Sequence, residues 1–147
     1  MSADEATRTA SQPRMREALG GARSPEFRAW AVPALQGVVD LLVEEPEVDG
    51  SVGVIGFCFG GSYSFALALA EPRLRAAIAF YGEEDHGITD RVPQLEQRMA
   101  DAGVDFKARV YHRVGHAFFN DTSPSRYNAE AAADAWQRSL DFLGRHL

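Results

Sequence analysis

The stretch VGVIGFCFGGSYSFALALA, Val52–Ala70, constrains the fold more than any other part of the chain. A short, nearly all-apolar run ends at the only cysteine, Cys58; glycines follow at once, then residues of good helix propensity. The order predicts a strand, a sharp turn and a helix. An apolar strand of this kind is typical of a parallel sheet covered on both faces. Within it, Gly56-Phe57-Cys58-Phe59-Gly60 has the form Gly-x-nucleophile-x-Gly. There the nucleophile occupies a strained turn, and the flanking glycines leave room for neighbouring backbone. A thiol at a helix N-terminus also meets the positive end of the helix dipole, which favours the thiolate. The backbone N–H of Phe59 is then one candidate oxyanion donor. The same residues also fit a buried structural cysteine beside a glycine-rich turn. They do not fit the Gly-x-Gly-x-x-Gly spacing of a dinucleotide site.

The rest of the chain alternates helices and strands. Residues 1–25 lack sustained periodicity and predict a mobile N-terminal segment with at most one short helix, around Arg14–Leu19. Residues 26–147 are expected to form the folded domain. From Pro25 to Glu45 apolar residues recur at three- and four-residue steps, an amphipathic helix in which Pro33 marks a kink or the first turn. Arg75–Gly82 predicts a second strand and Phe106–Val114 a third. ITDRVPQLEQRMADAG between them predicts a helix ending at Gly103, and Ser125–Leu147 a long final helix. Trp30 and Trp136 fit helix-packing residues better than substrate platforms. Strand–helix alternation implies an α/β three-layer sandwich around a mostly parallel sheet.

Composition narrows the class of function. With 147 residues and 46% hydrophobic content the chain can bury one core. A single cysteine excludes an internal disulfide and a multi-cysteine metal site, which suits a cytoplasmic setting. The net charge of -6 gives no electrostatic reason to bind nucleic acid or an acidic membrane. The polar start MSADEATRTASQ lacks a secretory pattern, and no apolar run approaches a membrane span.

A cysteine nucleophile needs a base and an acid to orient it, and in α/β-hydrolase order the acid precedes the histidine. YGEEDHGIT places Asp85 just past the second strand, and RVGHAFFND places His116 after the third. Ligand-facing loops of a parallel sheet emerge at such strand ends. His86, His112 and His146 compete with His116, but His86 adjoins the acid, His112 falls within a predicted strand and His146 lies at the terminus. Asp85 also fits a cap for the helix from Ile88. Glu83, Glu84 and Asp90 fit solvated turn or helix-start carboxylates. Tyr81 and Phe57, at strand ends, are candidates to line the site.

GFCFGG, YGEEDHGIT, GHAFF and SLDFL occur in this order, and by them Val52–Leu147 resembles the dienelactone hydrolase family of the α/β-hydrolase superfamily. The resemblance implies a truncated α/β-hydrolase fold with Cys58 as nucleophile, His116 as base and Asp85 as the orienting acid. It implies hydrolysis of a lactone or ester through an acyl-thioester, with no metal or organic cofactor and a small-molecule substrate. A carboxylesterase or thioesterase acting on another small acyl compound is the nearest enzyme alternative. The family's N-terminal half, with further strands, a second oxyanion donor and a glutamate near the cysteine, has no counterpart before Gly50. AIAFYGEEDHG merges two of the family's strand signatures into one. An arginine that holds the substrate carboxylate in dienelactone-cleaving members is replaced by Asn120. These departures admit an alternative: a shortened, weakly active or inactive hydrolase domain that acts as an oligomeric or binding module. They also predict that the strand at Val52–Phe57 has an unpaired apolar edge, so that the chain forms a homo-oligomer through it or is poorly soluble.

Overall fold

A computed structural model describes residues 5–22, 24–80, 88–101, 103, 106–112 and 114–147. In chain order its elements are α1 (Glu5–Ala22), α2 (Pro25–Glu44), β1 (Val52–Phe57), α3 (Phe59–Ala70), β2 (Leu74–Phe80), α4 (Ile88–Asp101) and α5 (Ala129–His146). Among these residues no helix is long and apolar enough to cross a membrane.

Strands β1 and β2 pair in parallel, with α3 as the crossover. The register slips once. Val52 faces Leu74, but Gly53 faces Ala76, so the ladder steps past Arg75. Because side chains alternate across a strand, the slip sends the residues on either side of Arg75 to opposite layers. Leu74 joins Val52, Val54, Val39 and Leu67 in the core beneath α2 and α3. Ile78 and Phe80 instead join Phe118, Ala131, Ala132 and Ala135 beneath α5. Helices therefore cover both faces of the sheet, the three-layer α/β arrangement of a truncated α/β-hydrolase fold.

The helix ends follow capping chemistry. Ser24 Oγ accepts the Phe27 N–H at 3.1 Å, and Pro25 opens α2, where a missing N–H costs nothing. Pro33 lies in the interior of α2, not in its first turn. Asn128 Oδ1 accepts the Ala131 N–H at 2.9 Å and starts α5 at Ala129, later than the expected Ser125. On α5 the buried Ala131, Ala132, Ala135 and Ser139 let the helix approach β2 closely, and the Ser139 hydroxyl donates to the Ala135 carbonyl at 2.8 Å.

Three expectations are corrected. The N-terminal helix runs from Glu5 to Ala22, well beyond Arg14–Leu19. Its alanines, arginines, glutamates and leucine favour a helix even where no apolar stripe marks one. The predicted third strand does not pair: the sheet among the described residues has two strands, and Phe106–Tyr111 lies outside any ladder. Side chains hold that segment instead, Phe106 against Phe65 with ring centroids 5.9 Å apart and Tyr111 Oη donating to Asp134 Oδ2 at 2.6 Å. Finally, the tryptophans are not enclosed between helices. Trp30 is 65% exposed beside Phe27, and Trp136 lies against Phe119 with much of its surface open.

Candidate active site

Cys58 is the hinge between β1 and α3. Its backbone has φ 54° and ψ -120°, a conformation that L-residues adopt only when their surroundings impose it. The surroundings here are specific. The Cys58 N–H donates to the Phe80 carbonyl at 3.0 Å, and the Cys58 carbonyl accepts from Gly61 at 3.0 Å and Ser62 at 3.3 Å. The residue is thus tied to β2 on one side and to the first turn of α3 on the other. Its thiol is free and partly exposed.

The two glycines of the motif do different work. A Cβ on Gly56 would collide with the backbone of Gly60 and lie 2.5 Å from Ser64 Oγ, so no larger residue fits. A Cβ on Gly60 would meet nothing within 4 Å. The second steric requirement falls one residue later, at Gly61, where a Cβ would come 2.9 Å from the Phe80 carbonyl oxygen. Ser64, buried beneath the turn, donates to the Gly60 carbonyl at 3.2 Å. Sequence reasoning does not find Gly61 and Ser64 as supports of the site, although the doubled glycine at 60–61 is a signal for the first. The amides of Phe59 and Gly60, in the first turn of α3, have no intrahelical acceptor and are suited to an anionic oxygen.

His116 begins the turn that crosses the strand ends. Ala117, directly after it, is the only other non-glycine residue with positive φ, 64°, among those described. The turn closes with Asn120 N–H donating to the Ala117 carbonyl at 2.9 Å. Two phenylalanines anchor it. Phe118 enters the core beneath α5, and the Phe119 ring lies 5.5 Å from Phe57 and 5.2 Å from Phe80. Phe57 precedes Cys58 in the chain, so these contacts bring the His116 turn to the end of β1 where the thiol emerges.

The Asn120 side chain is engaged locally, its Oδ1 accepting from Thr122 N–H at 3.1 Å and Thr122 Oγ1 at 2.7 Å. Phe57 stacks on Phe80 at 4.6 Å, while the Phe59 ring turns toward Tyr63, 4.8 Å away, and Phe27, 6.4 Å away. Phe27 and Tyr63 are not legible in the sequence as neighbours of the site, since only tertiary packing brings α2 to the start of α3. Asp85, Tyr81 and His86 lie outside the described residues. His112 falls in a turn, not a strand, and His146 packs against Phe142 at 4.4 Å. Among the described residues no group of three or more His, Cys, Asp or Glu is arranged to hold a metal ion.

Comparison with known proteins gives a consistent result. The model of a family described as "Dienelactone hydrolase family" matches residues 4–86 and 81–147. The match begins well ahead of Val52, so α1 and α2 lie within it. Its two parts overlap over 81–86, where the sequence merges two strand signatures. A carboxymethylenebutenolidase of Rhodococcus opacus is 31% identical over 126 aligned positions, covering 65% of this chain and 50% of that protein. A "Putative carboxymethylenebutenolidase" of Saccharolobus solfataricus is 36% identical over 112 positions, covering 62% and 43%. Since 65% of 147 residues is about 96, about 30 of the 126 positions fall opposite gaps in this chain. The chain spans about half the length of the curated relatives it matches. Among solved structures, the "Putative Dienelactone Hydrolase" from Klebsiella pneumoniae subsp. pneumoniae MGH 78578 superposes with a TM-score of 0.67 at 24% identity, covering 80% of this chain and 61% of that one. That likeness concerns the fold.

Proposed function

Because the chain belongs to the dienelactone hydrolase family, we propose that it hydrolyses a small ester or lactone with Cys58 as nucleophile, His116 as general base and Asp85 as the acid that orients it. The observation that carries this reading is the backbone of Cys58, held at φ 54° and ψ -120° where β1 turns into α3. A structural cysteine has no need of such a conformation, whereas a nucleophile that must project from the strand end does.

In the first half-reaction the Cys58 thiolate, its proton taken by His116, attacks the substrate carbonyl. The tetrahedral oxyanion meets the Phe59 amide at the start of α3. Collapse breaks the acyl C–O bond, and His116 returns its proton to the departing alkoxide, leaving an acyl-thioester. In the second, His116 deprotonates a water that attacks the thioester; the acid leaves and the Cys58 sulfur is restored. Phe57, at the end of β1, and Tyr81, which follows β2 in the chain, are the residues proposed to line this path. Asn120, whose carboxamide oxygen accepts from Thr122, offers no cation for a substrate carboxylate. An uncharged acyl compound is therefore preferred over dienelactone itself.

A second reading has its own observation. The overlapping family match at 81–86 points to lost sequence next to the proposed acid, and the relatives carry stretches that this chain lacks. A binding or oligomeric module without turnover is the consequence if that loss has displaced Asp85. Steady-state assays with an activated ester separate the two. The hydrolase reading predicts that Cys58→Ala abolishes turnover and His116→Ala lowers it by a factor of about 100 or more. Equal rates in wild type and Cys58→Ala would leave only the module.

A further inference from the structure

Among the described residues the ladder neighbour of β1 is β2 alone, so β1 is an edge strand. The sequence Val-Gly-Val-Ile-Gly-Phe carries no lysine, proline or charge of the kind that blunts such edges. Backbone groups alternate along a strand. Since Cys58 donates toward β2, Gly56 and Val54 share that direction, and Gly53 and Ile55 present their N–H and C=O groups to the far edge.

The layer beneath this edge is apolar and partly open. Ile55 and Phe57 project toward the α5 side and are 43% and 38% exposed; Trp136 and Leu140 on α5 and Leu147 at its C-cap are 45%, 44% and 49% exposed. Helical spacing puts Trp136, Leu140 and Leu147 on one stripe, and two contacts tie that stripe to β1. Trp136 reaches Phe57 through Phe119, at ring separations of 6.1 and 5.5 Å, and Leu147 Cδ1 lies 3.3 Å from where a Gly53 Cβ would stand.

We propose that this edge seats a second copy of the chain, joined about a two-fold axis by antiparallel pairing of β1. Opposed residues in such a pair point to the same face. Centring on Ile55 sets Ile55 against Ile55 of the partner and brings Phe57 opposite Gly53 of the partner, where it meets the Leu147 side chain that lies over that glycine. Centring on Val54 would instead oppose Phe57 to Ser51, a poorer match. A continuous sheet then runs β2-β1-β1-β2, and the exposed stripes of the two α5 helices flank its seam. The exposed parts of those five side chains come to roughly 400 Å² per protomer. An ordinary interface takes about 800 Å² per partner, so these side chains alone supply about half of one. The contact is isologous, so it closes at two copies.

The test is mass in solution. Light scattering at about 50 µM should give twice the 16.1 kDa chain mass. Ile55→Lys should give the monomer with unchanged helical circular dichroism, whereas Leu41→Lys, on exposed α2, should leave the dimer intact. Hydrogen exchange at Gly53 and Ile55 should be at least tenfold slower in the dimer than in Ile55→Lys. If Ile55→Lys does not fold, Leu140→Lys reads the same seam and should weaken the dimer at least tenfold. A wild-type monomer at that concentration, or a dimer unaffected by both seam substitutions, would overturn the proposal.

Discussion

At the scale of single residues, Cys58 is set by its neighbours more than by its own chemistry. Its backbone conformation costs about 1–3 kcal/mol, and its hydrogen bonds to Phe80 and from Gly61 and Ser62 hold it there. The Gly-x-Cys-x-Gly pattern shows that such a turn exists, but it presents the two flanking glycines as equivalent. They are not, because Gly56 faces the interior of the turn while Gly60 sits on the open side of the first turn of α3. Gly56→Ala should therefore cost about 2–3 kcal/mol, a fall in Tm of roughly 6–10 °C. Gly60→Ala should hold or raise Tm, since alanine favours the helix and meets nothing. Thermal melts of both variants check this. Equal losses would mean that the turn is not built as described.

At the scale of elements, the sequence is most legible where periodicity and capping agree. Pro25 and Gly56-Phe57-Cys58 announce the starts of α2 and α3, and both helices form there. Phe106–Val114 misleads because alternating apolar residues describe a strand's side chains but not its partner. Here Phe106 and Tyr111 are claimed by α3 and α5, and the backbone is left out of the ladder. Tyr111→Phe should consequently loosen that segment, costing about 1 kcal/mol in urea denaturation while Asp134 keeps its bond to Arg138. The turn between α3 and β2 relies on charge. Arg73 donates to Glu71 at 2.7 Å and to Asp40 of α2 at 2.6 Å, and the bonds that Glu71 receives from the Arg73 side chain and backbone hold its nearly buried carboxyl down to about 2. A lowered folded-state value stabilises the protein above the unfolded value of 4.5, and that stability disappears as pH falls from 4.5 toward 2. Glu71→Gln should thus lower Tm at pH 7, and its difference from wild type should shrink steadily below pH 4.5. A difference independent of pH would show that the pair contributes nothing through its charge.

At the scale of the whole molecule, the two parallel strands among the described residues, between α2/α3 and α5, form a reduced α/β-hydrolase core in which Cys58 and the His116 turn share one end of the sheet. The layered class is readable from strand–helix alternation. The small size of the sheet is not, because it depends on which segments find ladder partners. Membership of the dienelactone hydrolase family together with about half of its relatives' length makes chemical competence the decisive question. Intact-mass spectrometry of the full chain mixed with an activated ester, in wild type and Cys58→Ala, answers it. The expected result is one acyl adduct on wild type, mapped to Cys58 by peptide digestion, that decays as product appears and persists in His116→Ala. An unmodified wild-type chain, or equal labelling of the Cys58→Ala variant, would contradict a cysteine hydrolase.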